Sequence, residues 1–439
     1  MDYLLNFYSE KPINTSGLFS GKKSAQGNLE NTVSGILKQE DGNVKLRIFG
    51  RQSDSKESTG LENENGIIKD SRDGVIYGQL LTGEFIKINN FFAENVSTSS
   101  LTDQVETLFR ANNIKISRSV NNLDESNPIL STIRISNLLY WAYDYSFFEQ
   151  NSQTEAFREQ IPSLGNFSID STEFKLTFGR NRRELHSKYE TITSKQLYFE
   201  VHFLTKYSDK ILIRISEDLT SLVSILMQQP TYVESILNSS DNELDTVRTI
   251  FKTDKKQQNY PEYNIAFEKL SYKHIKSYFP EILKKYFNKD FSLDNFVNSY
   301  LTSLKFGYTP DQSILMYCNA IETAFSDNEV ENKQKKSATL LQKLTEIISR
   351  FSPEIKEHFF PKEDDALFCQ SIKDTRVFLV HGYRGKNSTI LNGIEKIIAS
   401  NKLEWIVLTT ILIRLSIPEN IILEFLKTKE TNLTKGDFL

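Results

Sequence analysis

The sequence predicts an α+β protein in which a β-rich N-terminal region, built of mixed or antiparallel sheets, precedes an all-α C-terminal helical bundle. Three observations predict it. Apolar residues alternate with polar ones through most of the first half, and from about Leu219 they recur at helical spacing instead. Glycine and proline, 18 and 10 of 439 residues, are too few for a fibrous or low-complexity chain. A chain of this length is expected to split into two or three domains. The division is expected at residues 1–262 and 263–439, with the first part divisible again at about 1–128 and 129–262.

The strands follow from period-two patterning. In NVKLRIF (43–49), Val44, Leu46 and Ile48 alternate with Lys45 and Arg47, and the preceding TVSGILK reaches them through QEDGN, whose Asp41-Gly42 step favours a hairpin turn. DGVIYGQLLTGEFIKINNFF (73–92) reads as a second hairpin with Gly83 at its turn. Further strands are expected in TIRISNLLYWA (132–142), EFKLTFG (173–179), LYFEVHFLTKY (197–207) and KILIRIS (210–216), the last two joined through Ser208-Asp209. RQSDSKESTGLENENGIIKDSRDG (51–74) is polar enough for a long exposed loop.

Helices are expected in SLVSILMQQ, KHIKSYFPEILKKYFN (273–288), LDNFVNSYLTSL (293–304), SILMYCNAIETAF (313–325) and ATLLQKLTEIISRF (338–351). LFCQSIKDTRVFLVH (367–381), ILNGIEKIIAS (390–400), LEWIVLTTILIRL (403–415) and ENIILEFLKT (419–428) complete the bundle. Thr309-Pro310-Asp311 and Ile417-Pro418-Glu419 mark helix entries, Gly382 marks a helix exit, and SDNEVENKQKKS (326–337) is a charged linker.

Composition narrows the function. A formal net charge of −4, from 53 basic and 57 acidic residues, argues against a surface coated with positive charge for duplex binding, so any nucleic-acid contact is local. Cys318 and Cys369 lie in apolar helical patterns and read as small core residues. No signal-peptide core or membrane span is visible, WIVLTTILI (405–413) being too short, and a cytoplasmic protein is expected. The sequence holds no GxxxxGK[ST], no zinc-spaced histidine pair, no GxSxG and no compact acidic cluster, so no cofactor and no metal are expected.

What remains is an arginine and a histidine five positions apart near the end of one helix: Arg376 and His381 in DTRVFLVHGYRGKN (374–387). Imidazole can withdraw the proton of a ribose 2′-hydroxyl or protonate a leaving oxygen near neutral pH, and guanidinium can hold the phosphate between them. The spacing alone is weak, and Arg180-Asn181-Arg182-Arg183-Glu184-Leu185-His186 also satisfies it; that segment reads as a basic loop after a strand, open to a phosphate contact. On an ideal helix His381 lies about 140° round from Arg376, so one copy does not align the two. Phe368, Ile372, Thr375 and Leu379 form one stripe while Val377 and His381 project from the other side, a two-faced pattern that suits a helix packed against a second copy.

From about Lys273 to the end the chain resembles the HEPN domains of prokaryotic defence and toxin proteins, through SILMYCNAIETAF with Glu322 at the family's acidic position, IKDTRVFLVHG and LNGIEKIIASNKLEWIVLTTILIRLSIPENIILEFL. GLFSG, VSGILKQEDGNVKLRIFG and DGVIYGQLLTGEFIKINNFF resemble the N-terminal domain of ApeA-type anti-phage proteins, which precedes a HEPN domain of this type. The resemblance implies a metal-independent endoribonuclease that acts on RNA, tRNA among the candidates, and works as a homodimer through the HEPN bundle. It implies Arg376 as the phosphate-binding residue, His381 as acid/base, and regulation by an N-terminal region that senses a phage-derived trigger. The family has a polar residue directly after the arginine where this chain has Val377, which leaves Glu322, Asp374 or Tyr383 to supply that function; Arg384 and Lys386 are candidates for guiding RNA.

Plainer readings stand beside these. His381 suits a helix-end histidine over the last carbonyls, Arg376 an ordinary ion-pair partner, and Glu322 a structural mate for a buried arginine. At the level of the whole chain the alternative is a non-catalytic HEPN-like scaffold that dimerises. A carbohydrate- or peptide-binding β module has only fold analogy behind it.

Overall fold

The computed structural model describes residues 13–23, 28–30, 32–40, 43–51, 75–99, 104–124, 129–142, 163–186, 191–239, 246–251, 270–324, 338–361, 365–386 and 388–433. The Asp41-Gly42 step, the 52–74 segment, the charged 326–337 stretch and the N-terminal twelve residues lie outside them. The chain forms two compact units: Met1–Leu139 with Asn151–Ser216 and Tyr232–Glu262, and Tyr140–Gln150 with Glu217–Thr231 and Tyr263–Leu439.

The first unit is a sheet. Its strands are β1 (Asn14–Ser20), β2 (Lys22–Lys23), β3 (Leu29–Glu30), β4 (Val33–Glu40), β5 (Asn43–Arg51), β6 (Val75–Leu80), β7 (Phe85–Ser99) and β8 (Gln104–Ser117), then β9 (Leu130–Ile135), β10 (Ser163–Ile169), β11 (Thr172–His186), β12 (Thr191–Phe203), β13 (Val233–Ser239) and β14 (Val247–Phe251). Among the described residues, 12 of them run in the order β10-β11-β12-β9-β13-β14-β8-β5-β4-β1-β6-β7, and β2 pairs only β3. A further β7–β8 pairing closes β8, β5, β4, β1, β6 and β7 into a barrel. Closure removes the edges that an open sheet would expose. One edge of β8 carries β7, while the other is shared between β5 (Val44↔Ala111 to Arg51↔Gln104) and β14 (Val247↔Ser117 to Phe251↔Asn113), and there the open half of the sheet continues. All of these pairings are antiparallel, which decides between the two arrangements the sequence left open.

The alternation read from the sequence in two hairpins fills much of the barrel, with Val44, Leu46, Ile48, Ile76, Ile86 and Ile88 buried inside it, and Ile114 and Ile116 of β8, a strand the sequence reading did not include, join them. Phe19 completes the interior. Its ring lies between Gly35 and Gly78, where an added Cβ would come within 2.8 Å and 2.6 Å of it. At Gly78 the ring already occupies the volume, and at Gly35 the ring and the Arg47 carbonyl oxygen, 2.7 Å from an added Cβ, occupy it together.

Four expectations fail in this unit or at its border. KILIRIS is not a strand; it opens helix α2 (Asp209–Met227). Leu212, Ile215, Leu219, Leu222, Val223 and Leu226 are buried while Ile213 is exposed, which is helical spacing rather than alternation. TIRISNLLYWA is a strand only to Ile135; Asn137 adopts a left-handed φ of 61° and the next residues form α1 (Leu138–Trp141). LYFEVHFLTKY is a strand only to Phe203. The Arg180–His186 segment is not a loop but the end of β11, paired with β12 through His186↔Thr191.

The second unit is helical: α3 (Tyr272–Ile275), α4 (Phe279–Phe287), α5 (Phe291–Lys305), α6 (Pro310–Ala324), α7 (Leu340–Ser349), α8 (Pro353–Phe359), α9 (Asp365–His381), α10 (Gly393–Arg414) and α11 (Glu419–Leu433). KHIKSYFPEILKKYFN is broken before Pro280, which takes the first turn of α4, where its missing N–H is harmless. Conversely, the two helices expected between 390 and 415 are one, α10 running through Asn401-Lys402 without a cap. Trp141 belongs here: fully buried, it donates from Nε1 to the Leu270 carbonyl (2.9 Å) and packs on the rings of Tyr272 and Phe279. Among the described residues no helix is long and apolar enough to cross a membrane.

The glycine flanks of Phe19 make a measurable claim. Gly78→Ala should lower stability by about 1–3 kcal/mol through overpacking, read by thermal or urea unfolding, and combined with Phe19→Ala it should cost less than the sum of the two single changes. Strict additivity would show that the ring does not set the constraint.

Candidate active site on helix α9

Helix α9 packs against α6 and α7, with Cys369, Ser371, Ile372, Asp374 and Thr375 buried along one face. At its end the Gly382 N–H donates to the Phe378 carbonyl (2.8 Å) and Gly382 takes φ +66°, the left-handed cap expected after a helix. His381 is therefore the last helical residue, and it is exposed.

Arg376 sits five residues earlier at the border of the buried face. Its Nη2 donates to Glu322 Oε2 of α6 at 2.9 Å, the two side chains being 28% and 30% exposed. Glu322 also accepts through its backbone carbonyl from the Nζ of Lys343, a buried residue of α7, so one residue of α6 ties α7 and α9 together. Beneath the pair lies Cys318, whose thiol is pushed up to about 12 by burial, with Glu322 adding to the shift and Arg376 opposing it. That thiol stays protonated and inert at neutral pH. The guanidinium has five donors, and its remaining N–H groups are available to an anion.

Asp374 does something different from what its place in the motif suggests. It is 8% exposed, and its carboxylate accepts from Gln370 Nε2 (3.0 Å to each oxygen), from the Thr389 N–H (3.1 Å) and from Lys373 (3.3 Å). Burial raises its pKa, but the bonds from Gln370, Thr389 and Lys373 outweigh that, so it titrates below the ordinary 3.8. Next to it, Thr375 Oγ1 accepts from the Leu391 N–H (2.9 Å). Asp374 and Thr375 thus pin the segment between α9 and α10 back onto α9.

That pinned segment carries the other candidates. Tyr383 is 67% exposed; Arg384 and Lys386 are exposed, Arg384 with its guanidinium 5.2 Å from the Phe378 ring centroid. Between the segment and α9 is a cavity of about 270 Å³ lined by Gln370, Lys373, Asp374, Val377, Tyr383 and Ser388. The structure joins Glu322 to Arg376, and Asp374 to Tyr383 around the cavity, while His381 stands at the helix end. The sequence does not single out Gln370, Lys373, Ser388 and Thr389, and it shows Thr375 only as part of a buried stripe: their roles depend on a chain reversal that no local pattern announces. Among the described residues no three His, Cys, Asp or Glu side chains gather as they would around a metal ion.

Residues 307–421, from just before α6 into α11, match the family model described as Apea-like HEPN. Residues 17–286, more than half of the chain, match the model described as ApeA N-terminal domain 1. No curated protein and no solved structure gives a match.

Because Asp374 holds its loop while ionised, Asp374→Ala should destabilise the protein by about 1–3 kcal/mol at neutral pH. A depressed native pKa contributes stability above the unfolded value and loses it as pH falls through the native one. The deficit of the variant should therefore shrink below about pH 3.8. Urea unfolding at several pH values checks this, and a pH-independent deficit would contradict it.

Proposed function

The chain belongs to the ApeA-type family of defence-associated HEPN proteins, and on that premise we propose that it is a metal-independent endoribonuclease whose α9 carries the cutting residues. The 2′-hydroxyl of one nucleotide attacks the adjacent phosphate, His381 takes up the hydroxyl proton or delivers a proton to the departing 5′-oxygen, and the products are a 2′,3′-cyclic phosphate and a free 5′-hydroxyl. Arg376 holds the phosphate and offsets the charge that builds on its oxygens in the transition state. Glu322 is a positioning residue: it fixes the guanidinium from the side facing the bundle. Arg384 and Lys386 guide the strand.

The observation that supports this most is the contrast along one helix. Arg376 is braced yet partly exposed, and His381 is exposed beyond it, as a polynucleotide would require. Two copies meeting at the α9 ends would bring both pairs together. Val380 at 49% exposure, and exposed Ile394, Ile397 and Ile398 at i, i+3 and i+4 on α10, favour such a homodimer. The N-terminal region, residues 1–262, regulates the bundle in response to a phage-derived trigger, and tRNA is one candidate substrate. Val377 keeps a second reading in place, a dimerising scaffold without catalysis, since it offers no polar group beside Arg376.

RNA cleavage in excess EDTA separates the two. The nuclease reading predicts cyclic-phosphate ends from the wild type, with losses of about 10²–10⁴-fold in His381→Ala and about 10²–10³-fold in Arg376→Ala at unchanged thermal stability. Equal cleavage by all three proteins removes it.

A further inference from the structure

The cleavage scheme makes no use of the cavity beside α9. Its volume, about 270 Å³, falls just below the range of about 300–1,000 Å³ typical of sites for drug-sized ligands. It suits a single heterocycle. Val377, directly after Arg376 in the chain, supplies an apolar wall, and Tyr383 an aromatic ring that is mostly in solvent. Lys373 supplies an ammonium group that pairs with Asp374 (3.3 Å) and keeps further N–H donors.

The neutral polar groups have a definite sense. A carboxylate only accepts, so the bonds from Gln370 to both oxygens of Asp374 identify the nitrogen of that amide and leave its Oε1 as an acceptor. Ser388 donates its hydroxyl proton to the Gly385 carbonyl (2.9 Å), which leaves it lone pairs to offer. Asp374 itself is fully engaged. A ligand that matches has a flat π face, negative charge beside it and an exocyclic amino group whose two N–H bonds meet both acceptors, whereas uracil offers them a single N–H at N3.

We propose that this cavity holds one nucleobase of the RNA strand whose phosphate meets Arg376, and that it selects bases with an exocyclic amino group (adenine, cytosine or guanine) over uracil. The ligand assignment rests on the ribonuclease reading, although the cavity chemistry does not. Val377 then has a purpose that a polar residue could not serve: it packs on the base.

Gly385 permits a clean test. An added Cβ there would lie 3.8 Å from Tyr383 Cε1 and 3.9 Å from Ser388 Cβ, ordinary contact distances, and its φ lies outside the left-handed region. Gly385→Leu should fill the cavity without straining the backbone. The full-length protein is titrated by fluorescence anisotropy with labelled 2′-O-methyl RNAs, which lack the attacking hydroxyl, each carrying A, C, G, U or an abasic residue at one scanned position. At one position the abasic residue should weaken binding about tenfold, equivalent to about 1.4 kcal/mol, and uracil should bind several-fold more weakly than the other three. Gly385→Leu and Tyr383→Ala should each abolish both differences while overall binding persists. Tolerance of every base and of the abasic residue at all positions overturns the proposal, as does discrimination that survives Gly385→Leu, or free adenosine monophosphate binding without any positional effect in RNA. A protein that cuts RNA without base dependence loses the pocket and keeps the nuclease. One that shows positional base dependence but never cuts keeps the pocket and loses the nuclease.

Discussion

A carboxylate buried in the middle of a helix is tolerated only when its lone pairs are taken, and Asp374 meets that demand by drawing a backbone N–H from beyond the end of its own helix. With Thr375 bound to the Leu391 N–H, this sets the geometry of the region: the chain leaves α9 at Gly382, turns, and is stitched back onto α9 before α10 begins. The last two residues of α9, Val380 and His381, are therefore exposed while the turn that carries Asp374 and Thr375 is locked. Arg376 lies between these regimes, braced by Glu322 from the bundle side. A surface ion pair of this kind contributes little stability, about 0–1 kcal/mol, so orienting a guanidinium is the better account of it.

The sheet unit obeys a different constraint. Six strands close on themselves around Phe19, and the ring leaves no volume for a side chain at Gly78 and, with the Arg47 carbonyl, none at Gly35. Among the described residues the barrel interior is filled by side chains rather than left open.

Much of this was legible in the sequence, for identifiable reasons. The β4–β5 and β6–β7 hairpins alternate cleanly because one face of each strand is buried, and Gly83 takes the left-handed φ its turn requires. The helix entries at Thr309-Pro310 and Pro418-Glu419 and the exit at Gly382 are backbone effects, visible in any context. KILIRIS misled because seven residues with three adjacent apolar positions satisfy both periods, and only Leu219 to Leu226 beyond it reveal the helix. Strands β13 and β14 escaped notice because both of their faces are largely covered, which erases alternation. At the site, the Arg376 and His381 pair is visible through the resemblance and Glu322 as the mate of an arginine is among the plainer readings of the sequence, but Asp374 as an anchor and the cavity are not. Each depends on contacts between elements distant in sequence.

The account comes down to whether His381 and Arg376 meet the same strand. The most direct measurement is the NMR signal of the His381 imidazole, one of 5 histidines and assignable by its loss in His381→Ala, during titration with an uncleavable 2′-deoxy oligonucleotide. The account predicts that this signal moves as the oligonucleotide saturates the protein and that Arg376→Ala suppresses the movement. An imidazole signal that stays fixed while the oligonucleotide binds to saturation would contradict it.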